Sequence, residues 1–178
     1  MSNQDTGRIH IYCGNGKGKT TTGMGLCVRA AGFGYKVLIY QFMKNNSTNE
    51  RKAMARIDQI HFIDGAETAK FSFQMSEVEK AEYRAFYENE FKKVTKIAIE
   101  ENYDVLFMDE LVYTIRAGLF TEAILLDFLK NKPKNLEVIL TGRDPSPDLI
   151  QLADYVSEIQ KIKHPFDQGL PARKGIEK

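Results

Sequence analysis

A short glycine-rich segment near the start of the chain constrains the fold more than any other feature. The segment at 14–20 (GNGKGKT) directly follows an apolar stretch at 8–13 (RIHIYC), whose alternating pattern predicts a β-strand. From residue 20 to about 31 the pattern predicts a helix, ended by glycines at 32 and 34. A strand, a tight glycine-rich turn and a helix in this order are typical of the first unit of a parallel α/β sheet.

The residue types in this segment predict a binding site for phosphate groups. Glycines let the backbone bend so that successive N–H groups converge, and the following helix adds free N–H groups and the positive end of its dipole. A lysine then supplies a full positive charge and a threonine supplies a hydroxyl for Mg²⁺. We therefore expect a nucleoside triphosphate at Gly14, Asn15, Gly16, Lys17, Gly18, Lys19 and Thr20.

The spacing of the segment departs from the usual P-loop pattern, G-x-x-x-x-G-K-[ST]. Counting back from Gly18, Cys13 stands where the first glycine is expected, and Lys17 is an additional lysine. The alternative interpretation is a glycine-rich turn that binds no ligand. A Gly-Lys-Thr-Thr run that opens a helix has little structural use otherwise, which favours the phosphate site.

The rest of the chain alternates between predicted strands and helices. Further strands are predicted at 36–42, 60–63, 103–108, 137–140 and 155–162. Helices are predicted around 50–57, from the capping box of Ser76 and Glu79 to about 101, and after Asp109, Thr121 and Ser146. This alternation predicts an α/β fold of the P-loop NTPase-like (RecA-like) type, with a mostly parallel sheet and helices on both faces. The length, 178 residues, predicts a single domain over 1–178.

Charged residues follow two of the predicted strands at the edge where parallel sheets bind ligands. Asp109 and Glu110 end the strand at 103–108, where a carboxylate of a P-loop protein holds Mg²⁺. Alternatively, Glu110 caps the next helix or orients a water for hydrolysis. Arg143 follows the strand at 137–140, where its planar guanidinium suits phosphate oxygens; the alternative is a surface arginine in a turn.

Composition narrows the classes of partner. The net charge of +1 predicts no nucleic-acid partner, and no apolar run is long enough to predict a membrane span. The polar first residues lack a signal-peptide pattern, and the two cysteines suggest no disulfide framework, so a cytoplasmic location is expected. The three histidines share no metal-ligand spacing, so no structural zinc is expected.

The ordered motifs resemble the P-loop type of ATP:corrinoid adenosyltransferase, the cob(I)yrinic acid a,c-diamide adenosyltransferase family. The resemblance covers nearly the whole chain. It is carried by GNGKGKTT (14–21), QFMK (41–44), DEL (109–111), TGR (141–143), ADYVSE (153–158), KHPF (163–166), Gly169 and GIE (175–177). It implies that the Co(I) of cobalamin or a precursor attacks the 5′ carbon of ATP and that triphosphate leaves. It also implies that the nucleotide runs along the loop in the reverse of the usual direction.

The resemblance also implies roles for individual residues. Lys19, Glu110 and Arg143 would be the main catalytic groups, and Thr20 and Glu110 would hold Mg²⁺ with Asp109 nearby. Together with Arg143, the triphosphate contacts would extend over Gly14, Asn15, Gly16, Lys17, Gly18, Lys19, Thr20 and Thr21. Arg29, in the helix after the loop, matches a family arginine near the nucleotide.

Further expectations concern the second substrate and the partners. The resemblance implies that Phe71 and Phe73 lie against the lower face of the corrin, whereas on sequence alone two such aromatics are more often core residues. It also implies a homodimer, with a reductant or flavoprotein reductase as a partner. Two other functions stay open from the motifs alone: a P-loop ATPase or kinase, suggested by Asp109-Glu110, and an ATP-sensing switch protein.

Overall fold

A computed structural model describes residues 7–66 and 75–177. Within them the strands are β1 (Ile9–Cys13), β2 (Val37–Gln41), β3 (Ile60–Phe62), β4 (Val105–Asp109), β5 (Glu137–Thr141) and β6 (Tyr155–Glu158). The helices are α1 (Lys19–Phe33), α2 (Asn49–Met54), α3 (Glu77–Glu100), α4 (Leu111–Arg116), α5 (Glu122–Asn131) and α6 (Pro147–Leu152). A 3₁₀ helix follows at Pro165–Gln168.

The strands form one sheet in the order β3-β2-β4-β5-β1-β6, and every neighbouring pair is parallel. This confirms the predicted parallel α/β fold. Because β2 lies beside β4, Gln41 is paired in register with Asp109 at the carboxyl edge of the sheet. The glycine-rich segment leaves the same edge at the end of β1, so the topology brings three candidate segments together there.

Helices cover both faces of the sheet, as predicted. On one face the buried side chains of α1 and α2, among them Cys27 and Met54, pack against Ile39 and Phe107 of the sheet. On the other face α3, α4, α5 and α6 pack against the opposite side chains of the same strands. Burial on both faces explains why β2 and β4 consist of fully buried residues and read as continuous apolar runs.

The predicted helix ends are mostly formed as expected. Gly34 ends α1 in the left-handed conformation (φ 104°), and its N–H donates to the carbonyls of the last turn. Ser76 and Glu79 form the predicted capping box at the start of α3, and the Ser146 hydroxyl accepts from Leu149 N at the start of α6. Thr121 stands at the N-cap of α5, but its hydroxyl donates to Glu88 instead of capping the helix.

One strand prediction was wrong in its length. The sequence predicts a strand over 155–162, whereas β6 ends at Glu158. The physical reason is that β6 pairs with β1, and β1 ends at Cys13 where the glycine-rich segment begins. Beyond that point the chain bonds to this segment: Gly16 N donates to Ile159 O at 2.7 Å, and Lys161 N donates to Asn15 Oδ1 at 2.8 Å.

Two further features bear on the sequence predictions. No helix among residues 7–66 and 75–177 is long and apolar enough to cross a bilayer. Cys13 and Cys27 are both buried free thiols, and burial raises the pKa of each. They are therefore small core residues here rather than thiolates poised to react.

Candidate functional site: the cavity above the glycine-rich loop

The glycine-rich loop takes its shape from close contact with the segment that follows β6. Gly14 and Gly18 have left-handed backbones, with φ of 105° and 116°. A Cβ atom on Gly14 would lie 2.4 Å from Ile159 O, and one on Gly16 would lie 2.8 Å from the same oxygen. The loop therefore needs glycine at 14 and 16 because the backbone of 159–160 lies directly against it.

Lys19 and Thr20, the last two residues of the glycine-rich segment, each donate a side-chain hydrogen bond. The Lys19 Nζ donates to Gly16 O at 2.9 Å. Burial lowers the pKa of Lys19, and the nearby Arg143 lowers it further, against the opposing effect of Glu110. The Thr20 hydroxyl donates to Asp109 Oδ1 at 2.9 Å, which joins the start of α1 to the end of β4.

Asp109 is the hub of a buried polar cluster and has no exposed surface. Its Oδ1 accepts from Thr20 Oγ1 (2.9 Å) and Thr141 Oγ1 (2.6 Å). Its Oδ2 accepts from Lys44 Nζ (2.7 Å) and Gln41 Nε2 (3.1 Å). A carboxylate offers about four lone-pair positions, so these four donors saturate it. Asp109 thus fixes the positions of the groups around it.

Glu110 adopts a left-handed backbone conformation (φ 63°) that is uncommon for a residue with a side chain. Its N–H donates to Thr141 Oγ1 at 2.8 Å, and its carbonyl accepts from the N–H and the hydroxyl of Thr114 at 2.9 and 2.8 Å. Such a conformation costs of order 1 kcal/mol and persists where surrounding bonds hold it. The result is that the carboxylate of Glu110 borders the cavity above the loop.

The pKa values of Glu110 and Lys44 are both raised, for different reasons. Burial raises the pKa of Glu110, and the neighbouring Asp109 raises it further, while Lys44, Lys19 and Arg143 oppose the shift. Burial would lower the pKa of Lys44, but the attraction of Asp109 outweighs it, so the pKa of Lys44 is raised. Lys44 is therefore held as an ammonium against the carboxylate of Asp109.

A cavity of about 860 Å³ lies above the loop. Cavities that hold small ligands measure roughly 300–1,000 Å³, so this space suits a nucleotide. The loop residues Asn15 to Thr21 form its floor, and the cations Lys17, Lys19, Lys44 and Arg143 border it with the acids Glu50 and Glu110. Excess positive charge beside the start of α1 favours a polyanion such as triphosphate.

The C-terminal tail also lines the cavity. Its lining residues include His164, Phe166, Leu170, Arg173, Ile176 and Glu177. The tail is held over the loop by the bond from Lys161 N to Asn15, while Lys161 Nζ donates to Asp167 at 2.9 Å. The tail residues thus border the same cavity as the loop, and among them Phe166 has an exposed aromatic ring.

The metal ligands available here are oxygen atoms. Among residues 7–66 and 75–177, no group of three or more His, Cys, Asp or Glu side chains is placed to hold a metal ion. Thr20 and Glu110 border the cavity and Asp109 lies behind them. A site with few protein oxygens suits Mg²⁺, which keeps several waters and takes further ligands from substrate phosphates.

The structure brings most of the predicted residues together, but it separates Arg29 from them. Arg29 lies about ten residues along α1 from Lys19, and at 1.5 Å per residue it is about 15 Å further along the helix. It borders a second cavity of about 380 Å³, with Phe33, Tyr35 and Glu137. Arg29 does not line the cavity above the loop, and its assignment to the nucleotide stays a prediction. Phe71 and Phe73 lie outside the described residues.

Sequence reasoning missed Lys44, Gln41 and the tail as parts of the site. From the sequence, the QFMK segment (41–44) contributes only to the family resemblance and has no predicted role in the site. Lys44 could have been predicted from its position just after a buried strand, because the carboxyl ends of parallel strands share one edge of the sheet. Its contact with Asp109 depends in addition on β2 lying beside β4, which the strand order provides.

Relatives of known name match the chain over almost its full length. A corrinoid adenosyltransferase of Escherichia coli (strain K12) is 31% identical, covering 99% of this chain and 88% of the relative. One of Sinorhizobium sp. is 33% identical, covering 97% and 81%. The corrinoid adenosyltransferase CobA of Salmonella typhimurium is 30% identical, covering 99% and 88%.

Solved structures share the fold at low sequence identity. A KaiC-like protein, PH0186, from Pyrococcus horikoshii superposes with a TM-score of 0.55 at 16% identity, covering 87% of this chain and 73% of that one. EssC (ATPases 2 and 3) from Geobacillus thermodenitrificans gives a TM-score of 0.51 at 14% identity, covering 96% and 35%. These similarities support the P-loop NTPase-like fold.

The family model described as ATP:corrinoid adenosyltransferase BtuR/CobO/CobP matches residues 5–177. This range spans the loop, the Asp109 cluster, Arg143 and the tail that lines the cavity. The shortened loop spacing and the additional Lys17 are thus features of a chain that matches the family from end to end. This chain belongs to the ATP:corrinoid adenosyltransferase family.

Proposed function

We propose that the cavity above the loop is where this corrinoid adenosyltransferase binds ATP and passes its 5′-deoxyadenosyl group to the Co(I) centre of a corrinoid, with release of triphosphate. The observation that supports this most is the convergence of Lys17, Lys19, Lys44 and Arg143 on one cavity that the glycine-rich loop also lines. The chain would act as one domain over 1–178, and cobalamin or a biosynthetic precursor would be the acceptor.

The residues act mainly on the leaving group. As the corrinoid attacks, a cobalt–carbon bond forms, the bond between C5′ and the triphosphate oxygen breaks, and its electron pair leaves with the triphosphate. Negative charge therefore grows on the triphosphate in the transition state, where Lys19, Lys17 and Arg143 would stabilise it. The nucleophile is the cobalt centre, so no side chain needs to remove a proton.

Mg²⁺ fits the oxygen donors of the site. We propose that the Thr20 hydroxyl and the Glu110 carboxylate hold it, while Asp109 orients Thr20 through its 2.9 Å hydrogen bond. Bound there, Mg²⁺ would neutralise charge on the leaving triphosphate. The saturated hydrogen bonding of Asp109 supports its role behind the metal rather than as an open ligand.

The proposal extends to the corrinoid side of the site. Phe71 and Phe73 would contact the corrin, and the nucleotide would run in the reverse of the usual direction so that its 5′ carbon faces that side. Support comes from Gly65, six positions before Phe71: its N–H donates to Asn46 Oδ1 at 2.8 Å, on the loop that carries Lys44.

The test is adenosylation of chemically reduced cobalamin with Mg-ATP. We expect a light-sensitive alkylcobalamin spectrum with release of one triphosphate per product. Lys19→Ala, Glu110→Ala and Arg143→Ala should each reduce the rate strongly, by about 100-fold or more for a lost transition-state contact. Lys96→Ala, an exposed lysine on α3 whose side chain is 70% accessible, is the matched control. Phosphate release without corrinoid dependence would instead indicate an ATPase, and ATP binding without turnover would indicate a switch protein.

Location and assembly form a separate part of the proposal. We propose a cytoplasmic homodimer that receives electrons for its corrinoid from a reductant or a flavoprotein reductase. Sedimentation velocity tests the dimer, which would have twice the 20.3 kDa mass of the chain. A single species at the monomer mass across micromolar concentrations would exclude it.

A further inference from the structure

The ammonium of Lys44 stands at the point where a metal-binding hydroxyl and a buried carboxylate meet. Its Nζ lies 2.7 Å from Asp109 Oδ2 and 3.1 Å from Thr20 Oγ1. Thr20 Oγ1 in turn donates to the other oxygen of Asp109. The three groups form a closed set in which the lysine supplies the positive charge.

The buried aspartate requires a positive charge nearby. Asp109 has no exposed surface, and an ionised carboxylate buried without a counter-charge is strongly destabilising. Among the four donors that contact it, Lys44 is the charged one; Thr20, Thr141 and Gln41 are neutral. Lys44 therefore compensates the negative charge of Asp109, as a bound cation would at the same place.

Lys44 is also the donor in this set best able to leave. Its side chain is 24% exposed and borders the cavity, whereas Thr141 and Gln41 are buried in strands. It follows Met43, a residue with a left-handed backbone (φ 54°), in the loop after β2. A lysine on a flexible four-carbon stem can move its charge several ångströms into the cavity, toward a polyanion.

We infer that Lys44 is an internal competitor of the metal ion: its ammonium fills the position beside Thr20 and Asp109, and it gives up that position when Mg²⁺ binds together with a triphosphate. The inference rests on the proposed function in placing Mg²⁺ at Thr20. The displaced ammonium takes the triphosphate as its new partner, so neither charge is left unpaired.

This arrangement couples the metal to the nucleotide. Free Mg²⁺ must displace Lys44 with no anion to receive the ammonium, and binds weakly. Triphosphate provides that anion, so each ligand strengthens the binding of the other by the same factor, as thermodynamic linkage requires. Lys44 would thus ensure that metal accumulates in the site only as the metal–nucleotide complex.

The experiment measures metal binding without corrinoid. Mn²⁺ serves as the probe, and its free concentration is followed by electron paramagnetic resonance, with and without ATP. Lys44→Met keeps the length of the side chain and removes the charge, so without ATP it should bind Mn²⁺ at least about tenfold more tightly than the wild type. The tightening of Mn²⁺ binding by ATP should shrink in the same variant. Lys17→Met removes a charge from the same cavity away from Asp109, and should leave metal-only affinity within about twofold of the wild type.

A double variant and a thermal melt give two further tests of the role of Lys44. The double variant Lys44→Met/Asp109→Asn removes both charges of the ion pair, so no uncompensated aspartate is left to attract the metal, and it should show no gain over the wild type. If Lys44→Met melts early in metal-free buffer, Mg²⁺ alone should raise its melting temperature while leaving that of the wild type unchanged.

Equal Mn²⁺ affinity in wild type and Lys44→Met, an equal gain in the double variant, or no rescue by Mg²⁺ would each overturn the inference. These results are independent of the adenosylation assay. A wild-type protein that alkylates cobalamin while Lys44→Met shows no metal gain would refute the role of Lys44 alone. A protein that shows the metal gain without alkylation would refute the proposed function alone.

Discussion

The contact between the glycine-rich loop and the segment after β6 gives the sharpest test of how the loop is held. Gly16 does not have a positive φ, so replacing it with alanine introduces no backbone strain of that kind. Its new Cβ would lie 2.8 Å from Ile159 O and 2.9 Å from the carbonyl atoms of Gln160. Because all of these atoms belong to the backbone, the segment at 159–160 must move rather than a side chain.

The size of the effect follows from these distances. Ordinary van der Waals contact begins at 3.4 Å, so a separation of roughly 0.6 Å must be added. Overpacking of this kind costs about 1–3 kcal/mol, and the bond of 2.7 Å from Gly16 N to Ile159 O, worth about 1 kcal/mol, is weakened as well. We expect Gly16→Ala to lower the free energy of unfolding by about 2 kcal/mol. ATP affinity should fall at least about tenfold, because the loop N–H groups move with the backbone.

Gly25→Ala is the matched control in the same helix-and-loop unit. Nothing lies within 4 Å of a Cβ at Gly25, which is exposed on α1. Alanine is favoured over glycine inside a helix by about 1 kcal/mol, so this variant should gain stability and bind ATP normally. Urea unfolding and isothermal titration with Mg-ATP measure both quantities. Wild-type stability and ATP affinity in Gly16→Ala would refute the account of the loop.

Three other predictions concern separate parts of the chain. Glu110→Gly should abolish adenosyl transfer without lowering the free energy of unfolding, because it removes a left-handed non-glycine residue; a clear loss of stability would contradict this. Burial raises the pKa of Glu137, but hydrogen bonds from His10 and from the N–H groups of Arg8 and Gly7 outweigh it, so the pKa is lowered overall. The stability that this carboxylate contributes is therefore full above the unfolded pKa, about 4.3, and is lost as pH falls through the lower folded pKa. The stability difference between wild type and Glu137→Gln in urea should thus shrink below pH 4; a constant difference would argue against the assignment. Ser76→Ala should lower the free energy of unfolding by about 1 kcal/mol through loss of the capping box, and an unchanged urea midpoint would show that the box adds nothing.

The elements could be predicted from the sequence because their signals are local. The end of α1 at Gly34 and the start of α3 at Ser76 follow from residues within one turn of each boundary. The length of β6 could not be predicted in this way, because residues 159–162 have the composition of a strand. Their conformation depends on a partner strand, β1, that ends at Cys13 nearly 150 positions earlier.

The residues of the site differ in the same way: some carry local signals in the sequence, and others are brought in only by the strand order. The loop and Asp109-Glu110 carry local motifs, and the structure places them together around one cavity. Lys44 ends the QFMK segment, whose sequence alone indicates no chemical role, and its contact with Asp109 depends on β2 lying beside β4. Arg29 was assigned through the family resemblance, and because α1 is 15 residues long it lies about 15 Å along the helix from Lys19.

The position of β1 between β5 and β6 has a consequence for how the protein is made. The strand that carries the phosphate-binding motif pairs with two of the last strands of the sheet, and the loop is completed by contacts to Ile159 and Lys161. At typical rates of synthesis these residues follow the loop by about 10 s. During that interval the nascent chain contains the motif without its binding surface, so ATP in the surrounding solution cannot stabilise it. Nucleotide can favour the folded protein only after almost the whole chain has been synthesised.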